Sequence, residues 1–145
     1  MTSALLDRKA VTRAVYEGIW TEHRVELIDE LFAPEARLHL WGRVLEGRDK
    51  LHAAVEEVWL PAFPDLAATV HFQVAEADLV ADYTTFTGTH TGAPIWGIPA
   101  RGAAFSFTQS TTCRVTGDGK IVDMWEDWDH AGLLRQLGVT FVEPQ

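Results

Sequence analysis

The sequence predicts an α+β fold, a strongly curved antiparallel sheet wrapped around N-terminal helices with an interior pocket. Three observations lead there. Apolar residues recur at helical spacing before residue 62, whereas from Ala67 to Trp128 the chain alternates as strands do. Helices followed by a run of strands mark an antiparallel sheet with segregated helices, not a parallel βαβ array. Two of the strand segments, Leu79–Thr89 and Ala103–Thr116, exceed the usual length of about 5–6 residues, so the sheet must bend. A bent sheet closed by helices encloses a cavity, and ligand sites favour such places.

Each element has its own local signature. Val11, Ala14, Val15, Gly18 and Ile19 share one helical face, and Asp7 is placed to cap it. A second helix is expected over Val25–Phe32, with Pro34 after it as a stop. Ala36–Trp41 alternates as a short strand, Leu38 and Leu40 on one face, His39 and Trp41 on the other. Gly42–Arg48 reads as a turn into a third helix, Asp49–Ala62, closed by Pro61 and Pro64. Four strands follow, Ala67–Ala75, Leu79–Thr89, Ala103–Thr116 and Lys120–Trp128, with Gly117-Asp118-Gly119 a strong hairpin signal. Asp129 should cap a last helix over Ala131–Leu137, which Gly138 ends.

Composition narrows the function. The 145 residues suit one domain, taken as 1–145, and 47% are hydrophobic and 23% charged, as in ordinary globular proteins. The net charge of −9 with no basic stripe argues against nucleic acid. No apolar run is long enough to span a membrane, and the N-terminus lacks the order of a signal peptide, so a cytoplasmic protein is expected. With Cys113 alone, no internal disulfide and no multi-cysteine zinc site can form. The histidines at 23, 39, 52, 71, 90 and 130 show no metal-binding spacing, and no nucleotide or acyl-serine motif is present.

The chemistry concentrates in Asp123-Met124-Trp125-Glu126-Asp127-Trp128-Asp129. Alternation sends Glu126 inward with Val122 and Met124, while Asp123, Trp125 and Asp127 face out. A carboxyl group among apolar side chains loses hydration, so its pKa rises and it becomes an acid or base near neutral pH. On the preceding strand, Phe105, Phe107, Gln109, Thr111 and Cys113 share the aromatic face, offering Gln109 and Thr111 as uncharged hydrogen-bonders. His39 is the best pocket histidine on the polar-aromatic face of its strand. Tyr16, Trp20, Trp41, Trp59 and Trp96 suit a flat hydrophobic, even aromatic, ligand. The long loop Gly88–Gly102 presents Ile95, Trp96 and Ile98 as exposed apolar residues for a ligand or a second subunit. The outward face of Asp123, Trp125 and Asp127 suggests assembly through the sheet, as a dimer or tetramer.

The chain also resembles the SnoaL-like polyketide cyclases, members of the NTF2-like superfamily of cone-shaped α+β folds. The likeness runs from Val11 to Gly138. It is carried by Ala62-Phe63-Pro64-Asp65-Leu66, by Gly88-Thr89-His90-Thr91-Gly92 with Gly97-Ile98-Pro99, and by Asp118-Gly119-Lys120-Ile121-Val122 leading to Gly132-Leu133-Leu134-Arg135-Gln136-Leu137-Gly138. The resemblance implies a cofactor-free intramolecular aldol condensation that closes a ring of a polyketide, with a pocket carboxylate moving protons. The family's aspartate falls at Glu126 here, one methylene longer. A pocket histidine expected on the preceding strand falls at Thr111, leaving Gln109, His39 or Tyr16 as polar partners. Two other readings compete: a non-catalytic binder of a hydrophobic metabolite, and an isomerase or epoxide-opening hydrolase of the same superfamily. The hydrolase would need paired acids with an arginine between them, for which only Arg101 and Arg114 offer themselves.

Overall fold

Asp7 accepts a hydrogen bond from Ala10 N (3.1 Å) and so starts the first helix, α1, Arg8–Ala14. The helix then widens into π-type turns over Val15–Thr21, where the Thr21 hydroxyl donates to Tyr16 O at 2.8 Å. The computed structural model describes residues 6–145. Helix α2, Leu27–Leu31, is followed directly by strand β1, Phe32–Leu40. The second helix therefore ends one residue before the sequence reading placed it. Phe32 is already extended, because the residues approaching Pro34 are pushed out of the helical region. The proline is accommodated in the irregular stretch of β1 between Phe32 and Arg37.

The expected turn at Gly42–Arg48 contains a further strand, β2, Arg43–Glu46, joined to β1 by a two-residue hairpin turn. Helix α3, Arg48–Ala53, runs on through π-type turns over Ala54–Trp59 into α4, Leu60–Ala62. Strands β3, Ala67–Glu76, β4, Leu79–Thr89, β5, Ala104–Val115, and β6, Ile121–Trp128, then form a meander. Helix α5, His130–Gln136, closes the fold, and Asp129 caps it by accepting from Gly132 N (2.9 Å).

The six strands are ordered β2-β1-β6-β5-β4-β3. All neighbours are antiparallel except β1 and β6, which run parallel. The meander could only supply antiparallel pairs. The parallel one arises because β1, from the other side of the α3 helix, docks on the last strand. Side chains between the sheet and the helices make the core: Tyr16, Ile19, Ile28, Phe63, Leu66, Val80, Cys113 and Leu133 are all fully buried. Cys113 thus packs as a small core residue.

The loop after β4 departs from the sequence reading. Ile95 is not exposed but buried, and Ile98 is partly so, because the two pair across a tight turn and pack against the core. Only Trp96 keeps a large exposed surface. Gly92 pins this loop: its N–H donates to Ala62 O (3.1 Å), and its missing Cβ would lie 1.9 Å from the Pro61 carbonyl oxygen.

Among the described residues no helix is long and apolar enough to cross a membrane.

Candidate active site

Between the inner sheet face and α3 lies a pocket with about 500 Å³ of empty space, counting its open mouth, lined by Trp20, Leu38, Leu40, Leu45, Leu51, Ala54, Trp59, Phe86, Phe107, Gln109, Glu126 and Trp128. The lining is almost wholly apolar, as the linings of small-molecule sites usually are. Both widened helical segments contribute, one with Trp20 and the other with Ala54 and Trp59. Such turns are frequent at functional sites.

Among the described residues Glu126 is the one ionisable side chain in this lining. Protein atoms crowd it on all sides, while part of its surface remains open to the pocket space. Burial pushes its pKa up from 4.5 to about 7. The nearby Asp127 charge adds to the rise, and a hydrogen bond from Gln109 works against it. Gln109 Nε2 donates to Glu126 Oε1 at 3.1 Å and to Thr111 Oγ1 at 2.9 Å. Both N–H groups of the amide are therefore committed, so Gln109 orients the carboxyl rather than offering a donor to a ligand.

The other residues singled out in the sequence fall into four places. Trp20, Trp59 and Phe107 line the pocket with Glu126 and Gln109. Tyr16, Thr111 and Met124 are buried beneath it. The Tyr16 hydroxyl finds no hydrogen-bonding partner among the described residues, although Thr111 lies beside it, and burial followed by the Cys113 and Asp82 charges raises its pKa well above 10.0. Trp41 and Trp96 sit at the mouth, 50% and 45% exposed.

His39 is not in the pocket. Leu38 and Leu40 point inward and line it, so alternation along β1 sends His39 to the outer sheet face. There it stacks on Trp125 (ring centroids 4.7 Å apart) and its Nε2 bonds Asp123 Oδ1 at 3.0 Å. Asp123 does face outward, as alternation requires, yet its side chain is only 5% exposed. Arg37 (2.9 Å), His39 and Arg114 (3.6 Å) lie over it. Burial opposes its charge, but the bonds from His39 and Arg37 prevail and hold the carboxyl below its ordinary value.

Sequence reasoning passed over Leu38, Leu40, Phe86 and Trp128 as lining residues. Trp128 was within reach, since it continues the inward period of Met124 and Glu126. Leu45 was not, because it lies on the unforeseen β2. No group of His, Cys, Asp and Glu among the described residues is arranged to hold a metal ion.

The profile of the SnoaL-like polyketide cyclases matches residues 10–137. The chain belongs to this family. That span contains every residue lining the pocket. Among solved structures, TsrD from Streptomyces laurentii is 32% identical, with 92% of this chain and 98% of TsrD aligned and a TM-score of 0.78. IdmH from Streptomyces antibioticus, described as a candidate polyketide cyclase, is 30% identical over 92% of this chain and 100% of IdmH, with a TM-score of 0.79. AclR from Streptomyces galilaeus, described as a candidate hydroxylase, is 26% identical over 98% of this chain and 87% of AclR, with a TM-score of 0.82. No curated protein matches the sequence. As a SnoaL-like protein the chain has the cone of the NTF2-like superfamily, with Glu126 on its inner wall.

Proposed function

We propose that this protein is a cyclase that closes a ring by intramolecular aldol condensation of a hydrophobic polyketide-type substrate, with Glu126 as its acid/base group. The observation that carries this reading is a lone carboxyl group in a greasy pocket with a pKa raised to about 7. Such a group is half ionised near neutral pH, so it can both take and return a proton.

As a carboxylate, Glu126 would remove a proton from the carbon α to a carbonyl. The resulting enolate carbon attacks a second carbonyl carbon of the same molecule, forming the carbon–carbon bond. The electron pair of that carbonyl moves to its oxygen, and the proton held by Glu126 is available to the alkoxide. No atom is left over, so the step calls for no outside reagent. Gln109 fixes the carboxyl through Oε1, and the tryptophans and leucines around it hold the reacting chain folded and dry.

The pocket lining holds one acid and no arginine, which disfavours the hydrolase arrangement of paired acids around a water. The reading also includes a homo-oligomer. Phe72 stacks on Tyr83 on the outer sheet face and is 58% exposed, in favour of a second copy covering it. Sedimentation would give a monomer if that part is wrong.

Turnover is the direct test. Mixed with a linear polyketide ester that cyclises slowly unaided, the protein should speed ring closure, and Glu126→Gln should return the rate to background. Equal rates for the two proteins would remove Glu126 from the chemistry. Tight binding by both with no acceleration would make the protein a binder.

A further inference from the structure

We infer that His130, with Trp41 and Trp96 packed against it, forms an outer subsite at the pocket mouth in which the His130 Nε2–H donates to an oxygen of a planar ring. The inference rests on the pocket being a ligand chamber. It adds a neutral donor at the mouth of a pocket in which both Gln109 N–H groups are engaged, the Tyr16 hydroxyl is buried below and His39 faces away.

The tautomer follows from one contact. An indole N–H can only donate, so the bond from Trp128 Nε1 to His130 Nδ1 (3.2 Å) makes Nδ1 the acceptor. The neutral ring then carries its proton on Nε2, which meets no hydrogen-bonding partner among the described residues. Partial burial lowers the His130 pKa, in keeping with a neutral ring. His130 is thus a fixed, uncharged donor, held by a side chain that also lines the Glu126 pocket.

The two flanking indoles reach it by the same device. Trp41-Gly42 and Trp96-Gly97 are both two-residue turns with positive φ at each position, 45° and 79° in the first and 50° and 79° in the second. Each turn is closed by a pairing across it, Leu40 with Arg43 and Ile95 with Ile98. The left-handed region is unfavourable for tryptophan, yet it occurs twice at this mouth. In both cases the indole ends beside His130, with ring centroids 4.9 Å away for Trp41 and 4.7 Å for Trp96. Both indoles remain about half exposed. Trp96 also touches Trp59, which lines the inner pocket, at 5.4 Å, so the outer group adjoins the inner lining. Two half-exposed indoles packed against one neutral donor match a planar ring bearing a carbonyl or hydroxyl oxygen.

The test is calorimetric titration of the purified full chain with methyl 2-naphthoate and with 2-isopropylnaphthalene, rings of similar size with and without an oxygen acceptor. Wild type should prefer the ester by about five- to tenfold, the worth of one neutral hydrogen bond. His130→Phe should abolish that preference and His130→Gln should keep part of it. NMR of the His130 ring nitrogens should place the proton on Nε2, and Trp128→Phe should release it to both tautomers. An ester preference unmoved by His130→Phe, or a proton on Nδ1, overturns the outer subsite while leaving the pocket reading standing. If neither compound binds, both fall together.

Discussion

Replacing Glu126 by glutamine should stabilise the protein, and by an amount that grows with pH. A carboxyl whose folded-state pKa lies above its unfolded value is held more tightly by its proton when folded. Relative to a neutral side chain it therefore costs nothing below pH 4.5, and the cost grows as pH rises towards about 7 and is complete above it. The interval between 4.5 and about 7, at about 1.4 kcal/mol per pH unit, sets the full effect near 3 kcal/mol. Glutamine keeps the oxygen that accepts from Gln109 Nε2, so the comparison isolates the charge. Urea denaturation of both proteins should show Glu126→Gln more stable by about 1 kcal/mol at pH 5 and about 3 kcal/mol at pH 8. All other titrating groups are common to the two proteins and cancel in the difference. A gap that stays constant between these pH values would mean that Glu126 titrates like a solvated glutamate, and the argument for a proton-trading group would fail.

Three further outcomes follow from the same geometry. If Glu126 is the base, kcat/KM for ring closure should rise with pH through a midpoint near 7 and then level off; a midpoint below 5 would point to another group. Asp123→Asn should lower stability at pH 7 by about 2 kcal/mol, less than for a fully enclosed pair because Arg37 is 54% exposed. That Asp123 contribution should vanish as pH falls through its lowered pKa, and thermal melts at pH 7 and pH 3 would check both parts. Gly92→Ala must move the Pro61 carbonyl and should cost about 3 kcal/mol in urea melts; a neutral effect would show that the loop carrying Trp96 is held elsewhere.

The sequence by itself determined whatever depends on neighbours along the chain. The periods of α1 and of the four-strand meander, the Asp7 and Asp129 caps and the inward side of β6 are local facts, and they placed Glu126 on an inner face. The same local logic places His39 outward, since Leu38 and Leu40 on either side of it form the apolar face. What only the tertiary structure decided involves residues brought together across the fold. The parallel pairing of β1 with β6 set His39 and Arg37 over Asp123 and turned a surface acid into a buried one. The packing of Trp59 against Phe107 of β5 and Trp128 of β6 helped wall in Glu126, and two distant Trp-Gly turns met at His130. Periodicity states which way a side chain points; the partner that strips its water or completes its hydrogen bond is fixed only when remote segments pack, because burial and hydrogen bonding are properties of contacts between them.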